Sequence, residues 1–511
     1  MIKINVSLPF DEENVAEAVA KKLKTPVREV VVLKKSLDAR DKGDIRYSYT
    51  VAIETSDIKK AVKNGGTVWE KPDDDIDSFL KDVSFHGARP IVVGAGPCGL
   101  FAALTLCKAG AKPIIIERGD CVEERRKKVD IFNETLVLDP ESNVQFGEGG
   151  AGTFSDGKLN TGINSRFVPA VLKTLVDSGA PEEIIYLNKP HVGTDRLGET
   201  VINLRKKIIS LGGEIFFNTK VEDFLAEDGV LKGVRTDKGD FYSDRTYLCI
   251  GHSARDTFYK LYAKGVVMAP KIFSMGVRIE HLQTDIDFAQ YGRERGKLPP
   301  ADYKTAVPLS GGNSLYSFCM CPGGSVVNAS SEENALCVNG MSNYARDGKN
   351  ANSALLINVG EKEYGEGVLA GIELQRKTEA LAFAATGSYK IPVQTYGGFR
   401  NGKTTDFGRV LPSATSGYLM TDLNSFLPTF ITEGLKEGIP QIAKKIRGFD
   451  SSDAVLSGVE ARSSSPVRIL RDENCCSSLK GLYPLGEGAG YAGGIASAAA
   501  DGIRGVLSSL R

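Results

Sequence analysis

Histidine is scarce in this sequence, with 4 among 511 residues, and no apolar run is long enough to cross a bilayer. The four histidines are dispersed, no cluster of cysteines accompanies them, and no metal site is expected. Charge of one sign is missing as well. Lys plus Arg number 64 and Asp plus Glu 64, which argues against the sustained basic field of a DNA-binding or membrane-surface protein. A disulfide framework is lacking, because the 9 cysteines are odd in number, irregularly spaced and include the adjacent Cys475 and Cys476. The first residues alternate and then turn acidic, unlike the basic-then-apolar layout of a signal peptide. These absences predict a cytoplasmic protein with reduced thiols that acts on a small molecule. No internal repeat or low-complexity tract interrupts the chain.

Glycine, in contrast, is plentiful at 56 residues, a sign of many close backbone approaches. The length implies roughly two to four domains. Residues 2–7 alternate as a strand, 11–23 form an amphipathic helix, and 29–33 and 45–53 read as strands. That β-α-β-β order predicts a small ferredoxin-like α+β module, followed by the acidic connection KPDDDID at 71–77. From Arg89 the pattern becomes strand 90–93, glycine turn, helix 99–109 and strand 113–116. Residues 140–160 are glycine-rich and irregular, a helix is expected near 198–211, and 270–360 is strand-rich. Helical periodicity returns at 363–385 and 425–447, and the last 30 residues read strand, glycine turn, helix.

The segment IVVGAGPCGL carries Gly94, Gly96 and Gly99 in GxGxxG spacing, with Pro97 and Cys98 between the last two. It follows an apolar strand and opens a helix, and Glu117, then Arg118, ends the next strand 23 residues after Gly94. Gly94 permits the tight turn, Gly96 lets backbone amides reach a pyrophosphate, and Gly99 lets helix and strand pack. Glu117 is placed to accept from ribose hydroxyls. The bland alternative is a glycine-rich turn with a solvated glutamate. The unit predicts a bound dinucleotide and leaves NAD and FAD both open.

Residues 481–502, GLYPLGEGAGYAGGIASAAADG, resolve that choice. In a flavin site Gly486 and Glu487 bring an acid to the ribitol. A small-residue helix from about Gly493, with Gly494 and Ile495 at its start, points its N-terminus at the pyrimidine edge of the ring. A tightly packed terminal helix is the competing explanation. Taken with the first glycine loop, the segment predicts non-covalent FAD. No second GxGxxG follows a strand, so NAD(P)H is expected at most as a transient visitor.

This two-part pattern resembles the glutathione-reductase-2 group of FAD proteins. More specifically, VQFGEGGAGTFSDGKLNT (144–161), FCMCPGG (318–324), MSNYARDGKNANSALLINV (341–359), ARSSSPVRI (461–469) and LGEGAGYAGGI (485–495) resemble a family of bacterial FAD-dependent dehydrogenases of uncertain substrate. The likeness spans nearly the whole chain, including LKKSLDARDK at 33–42. It implies an α/β protein with a Rossmann-like FAD-binding domain (86–265 plus 456–511) and an inserted β-rich α+β substrate or cap domain (266–455). The N-terminal module and linker (1–80) stand outside these. It also implies that Gly149, Gly150 and Thr153 lie nearest flavin and pyrophosphate, that the strand ending at Gly251 closes over the adenine side, and that Val221 touches adenine. Glu487 departs from the aspartate of many relatives by one methylene.

Cys319 and Cys321 are the sharpest candidates for chemistry, since alternate residues of a strand face one way. They read either as thiols facing the flavin or as two small buried residues. The chain lacks the CxxC or CxxxxC beside the first glycine loop that disulfide reductases use. His252 is a candidate proton donor or a turn residue. Lys158, Arg278, Arg346, Lys349 and Arg462 are candidates to bind an anionic substrate or offset charge at the ring, against the ordinary role of ion pairs. Three functions follow: an FAD-dependent oxidoreductase whose substrate and electron donor the sequence does not name, a flavin-dependent tRNA-modifying protein using the basic run Lys34, Lys35, Arg40 and Lys42, and an FAD-binding protein without turnover. An oligomer is compatible with each.

Overall fold

The structure is a computed structural model that describes residues 1–81 and 83–510. Ile2, Ile4, Val6 and Leu8 alternate inward along the strand Ile2–Pro9, and the helix Val15–Leu23 lays Val19 and Leu23 on the face they make. Strands Glu29–Asp38, Arg46–Glu54, Ile2–Pro9 and Thr67–Val68 follow one another across an antiparallel sheet. The helix Ile58–Lys63 and the strand Thr67–Val68 carry the unit to β-α-β-β-α-β, two elements beyond the sequence pattern. Both escape a periodicity reading because the helix has only 6 residues and the strand 2. The basic run of this module is largely occupied: Arg40 pairs with Asp38, Lys35 lies 4.3 Å over the Tyr47 ring, and Lys42 Nζ donates to the Ala289 carbonyl at 2.8 Å.

The second sheet is parallel throughout and runs Leu482–Pro484, Thr246–Leu248, Ile91–Val93, Ile114–Ile116, Glu214–Phe216. Ile91–Val93 and Thr246–Leu248 are buried at every position, as strands covered on both faces must be. Leu482–Pro484 reaches this sheet from the far end of the sequence and sets the helix Ile495–Ser509 against the helix Pro97–Lys108. Their close approach depends on Gly502, where a Cβ would fall 2.4 Å from the Cys98 carbonyl oxygen.

The third sheet has seven strands, ordered Ala306–Pro308, Ser314–Cys321, Asn350–Val359, Phe273–Leu282, Val455–Glu460, Ile391–Thr395, Tyr418–Met420. Its central pair, Phe273–Leu282 and Asn350–Val359, is almost wholly buried, and the helix Thr429–Ala443 contributes Ile431, Leu435, Ile439 and Ile442 to the same core. The helical stretch expected over 363–385 is two helices, Glu361–Tyr364 and Ala370–Thr386. Gly365 at φ +81° and Gly367 at φ +119° take left-handed backbone that no helix continues through. Among the described residues no helix is long and apolar enough to cross a membrane.

Candidate functional site

A cleft of about 1590 Å³, mouth included, opens beyond the carboxyl ends of the parallel strands. One rim is the first glycine loop. Gly94 sits at φ +101°, and a Cβ there would lie 2.4 Å from the Cys249 carbonyl oxygen, so only glycine fits the turn. Gly96 precedes the helix Pro97–Lys108, which no side chain caps, so its first-turn amides are left for something in the cleft. Gly96 and Gly150 stand face to face, and a Cβ added at Gly96 would come 3.8 Å from the Gly150 Cα.

Glu117 is 5% exposed and does more than its expected ribose contact requires. Its carboxylate accepts from the amides of Ala95 at 2.8 Å, Gly119 at 3.0 Å and Gly147 at 3.0 Å, so it ties two glycine loops to the strand end. Arg118 lines the cleft with its guanidinium turned to Glu141 and Asp256 and stacked 4.1 Å over Phe146. Pro97, Cys98, Val221 and Gly251 also line it.

The opposite rim comes from the C-terminal segment. Glu487, Gly494 and Ile495 border the cleft, and the helix Ile495–Ser509 is likewise uncapped by any side chain. It starts at Ile495, two residues later than expected. Glu487 Oε1 lies 3.4 Å from His252 Nδ1, and the buried His252 Nε2 has no partner. Gly99 does the packing expected of it, and three expected contacts, Gly486, Gly149 and Thr153, stand behind the wall. Gly99 packs on the Gly94 carbonyl, where a Cβ would come within 1.8 Å, and Gly486 donates its amide to Asp501 at 2.8 Å. Gly149 donates to the Ala95 carbonyl at 2.8 Å, and the Thr153 hydroxyl reaches the Glu148 carbonyl at 3.4 Å. They shape the loops without facing the space.

The remaining wall belongs to the third sheet, and here strand alternation fails. A register shift between Phe318 and Cys321 puts Cys319 at φ +42°, a left-handed conformation rarely taken by a residue with a side chain. Both cysteines border the cleft, but Cys319 is exposed while Cys321 is buried in its wall. The Cys319 carbonyl accepts from Arg278 Nη2 at 2.7 Å and from the Cys321 thiol at 3.2 Å, which locks the bulge. Although Cys319 is exposed as a residue, protein crowds around its thiol, and that burial pushes it up to about 12, outweighing the pull of Lys158. Burial raises Cys321 too.

The cationic candidates separate in the same way. Arg278 is fully buried behind the wall, bonded to Glu460 at 2.7 Å and Asn352 at 2.8 Å. Arg462 borders the cleft, yet its guanidinium is taken up by Glu379, at 2.9 and 2.7 Å, and by Ser331. Arg346 is ion-paired with Asp156, and Lys349 is exposed outside the cleft. Lys158 lines the cleft 3.5 Å from Asp156. Sequence reasoning missed Gln145 and Ser253, hydrogen-bonded at 2.9 Å in the wall, and Glu460, Asn339 and Gly340; none stands in a pattern with a chemical signature. Among the described residues no group of three or more His, Cys, Asp or Glu side chains is placed to hold a metal.

Two uncapped helix N-termini bordering one cleft, glycine-lined where backbone must approach, define a dinucleotide-binding protein, and the acid beside each helix fits FAD. The comparisons agree. Residues 272–463 match the model of the C-terminal domain of FAD-dependent proteins, residues 88–135 an FAD binding domain, and residues 1–54 a domain of unknown function. A Clostridium beijerinckii protein described as uncharacterized is 45% identical over 513 residues, covering 98% of this chain and 96% of its own. The chain belongs to this family of FAD-dependent proteins, and FAD is its cofactor. Among solved structures, CtdE in complex with FAD is 13% identical with a TM-score of 0.33, covering 82% of each chain. L-proline dehydrogenase from P. horikoshii is 14% identical with a TM-score of 0.34, covering 82% of this chain and 91% of its own. No conclusion rests on likenesses this distant.

Proposed function

We propose that the protein is an FAD-dependent oxidoreductase whose substrate sits between the flavin and the wall formed by residues 318–321. One observation carries this reading: the loop at 94–98, the segment at 487–495 and the strained Cys319 border a single cleft. The first-turn amides of Pro97–Lys108 would hold the pyrophosphate, Glu117 the adenosine ribose, Val221 and Gly251 the adenine side, and Glu487 the ribitol. The start of Ile495–Ser509 would face the pyrimidine edge of the ring, with Gly150 beside it. FAD, when bound, supplies the carrier for two electrons and a hydride.

The chain supplies position and hydrogen bonds. Cys319 stays a neutral thiol at physiological pH, which suits it to donate a hydrogen bond to a substrate oxygen or nitrogen rather than to attack as a thiolate. Cys321 and Arg278 hold its backbone in the one conformation that presents its sulfur. Lys158, 3.5 Å from Asp156, brings a cation to the same space, which favours a substrate carrying negative charge. Arg462, neutralised by Glu379, acts as a wall. NADH or NADPH enters only as a passing donor.

Anaerobic titration tests the reading. The purified yellow protein should bleach with NADH, NADPH or a carboxylate-bearing reductant, and dithionite-reduced protein should regain its colour with a matching oxidised substrate. A colourless protein that takes up no FAD, or a flavin indifferent to every donor and acceptor tried, would overturn it.

A further inference from the structure

Two cysteines outside the proposed reaction touch each other. Cys98, in the first turn of the helix Pro97–Lys108, and Cys249, just past the strand Thr246–Leu248, bring their sulfurs to 3.4 Å, and each is 4% exposed. They are 151 residues apart in sequence, which is why no CxxC spacing announces them. Among the described residues no other two thiols are hydrogen-bonded to each other. Both border the cleft beside the pyrophosphate-facing loop. A disulfide holds its sulfurs about 2.05 Å apart, so closure asks for roughly 1.3 Å of approach.

We propose that Cys98 and Cys249 are a redox-active dithiol, closed to a disulfide by hydroperoxides when FAD is absent, and that the closed form binds FAD more weakly. The proposal rests on the reading of this cleft as the FAD site. One thiol attacks the O–O bond of the hydroperoxide, loses its proton and takes one oxygen, releasing an alcohol. The second sulfur then displaces that oxygen as water and the S–S bond forms. Two electrons and two protons leave the thiols, and the hydroperoxide becomes alcohol and water.

The coupling to FAD follows from the lack of slack. A Cβ at Gly94 would sit 2.4 Å from the Cys249 carbonyl oxygen, and one at Gly486 would sit 2.8 Å from the Cys98 Cβ. Drawing Cys98 toward Cys249 therefore moves the first helical turn, whose amides face the cleft. Bound FAD in turn holds that turn in place and covers the route to both sulfurs. The two effects are one linkage and must be reciprocal.

The full chain loaded with FAD, and the same chain freed of it, are exposed to tert-butyl hydroperoxide, then mapped by peptide mass without reductant. The FAD-free chain should lose two hydrogens in a link joining residues 98 and 249, reversed by dithiothreitol. The FAD-loaded chain should link about tenfold more slowly, and the linked chain should bind FAD about 5- to 150-fold more weakly. Cys98→Ala and Cys249→Ala should each abolish the link; if either variant fails to fold, the map of the parent chain decides alone. Oxygen addition without the 98–249 link overturns the dithiol. Equal linking rates with unchanged FAD affinity overturn the coupling. A chain that takes up no FAD in either thiol state also ends the coupling and separately ends the proposed function, while the mass of the link still reads the dithiol.

Discussion

The two walls of the cleft are built from different materials. The dinucleotide wall is backbone: glycines at left-handed or crowded positions, amides at helix starts, and one carboxylate, Glu117, knitting the loops together. The substrate wall is held by buried charge. Glu379 lies between Arg255 and Arg462, Glu332 joins Arg255 to Arg376, and Glu460 faces Arg278. Because Arg255 leads a helix of the dinucleotide half while Glu379 belongs to the helix Ala370–Thr386, this network also fastens one half to the other. A backbone wall tolerates no added atoms. A charged wall tolerates no removed partner.

The sharpest way to break the contrast is to add one methyl to the first wall. Gly94→Ala places a Cβ 2.4 Å from a carbonyl oxygen at φ +101° and should lose all bound flavin together with on the order of 2–6 kcal/mol of stability, read by absorbance and thermal melting. Gly493→Ala is its control. No atom lies within 4 Å of a Cβ there, so the chain should melt as before, and any loss of flavin reports the approach of the ligand alone. Next comes removal of a partner from the second wall. Glu379→Gln leaves two guanidiniums facing each other in the interior and should cost about 3–5 kcal/mol. Burial would raise the Glu379 carboxyl, but Arg255 and Arg462 outweigh it and hold it at about 2. A carboxyl lowered by folding stabilises the protein above its ordinary value of 4.5, and that contribution disappears as pH falls toward 2. The variant should lack this part of the acid transition.

The same contrast explains what could be read without coordinates. Gly94, Gly96 and Glu117 announce themselves because a dinucleotide turn demands particular residue types at fixed spacing, and a glycine–acid–glycine run near the end of the chain points to the flavin. The N-terminal module was legible in its alternating strands and opaque in its two-residue last strand. Gly149, Thr153 and Gly486 share the sequence character of true wall residues, yet they lie one layer behind, since glycine marks a crowded backbone whether the crowding atom is ligand or protein. On the substrate wall Cys319, Cys321, Lys158 and Arg462 stand out as residue types, but their partners and orientation do not. Ion pairs such as Arg462–Glu379, 83 positions apart, have no local spacing, and a one-residue bulge at Cys319 reverses the face that strand alternation assigns.

That bulge gives a smaller and more selective test. Cys319→Ala removes the presented thiol without touching the bonds to its carbonyl. Flavin content should stay intact while kcat falls about 100-fold, within the range of a lost hydrogen-bond donor to the reacting group. Cys321→Ala deletes the hydrogen bond that steadies the bulge, together with a long contact from Arg278 at 3.8 Å. It should cost about 1 kcal/mol and raise KM more than it lowers kcat. Equal effects of the two substitutions would return both cysteines to one shared role.

The smallest expected effect lies where the two building styles meet. Glu148 belongs to the glycine loop but carries a fully buried carboxyl, with Oε1 unpartnered and Oε2 bonded to the Val122 amide at 2.9 Å and to Arg205 at 3.0 Å. An arginine so close should keep it ionised; Arg205, however, divides itself with Glu123 at 2.6 Å, and burial prevails, raising the carboxyl to about 7. A carboxyl raised by folding binds its proton more tightly in the native state than in the unfolded one. Its contribution is complete below the ordinary 4.5 and is lost as pH climbs through 7. Glu148→Gln keeps an acceptor for Val122 and removes the titration. Melting curves of parent and variant should therefore run parallel near pH 4 and separate by pH 8, with the variant about 1–2 kcal/mol more stable, beneath the ceiling of about 3 that such a shift permits. A separation that instead grows toward acid would mean that Arg205 wins, and that even inside the glycine loop an ion pair outweighs the backbone around it.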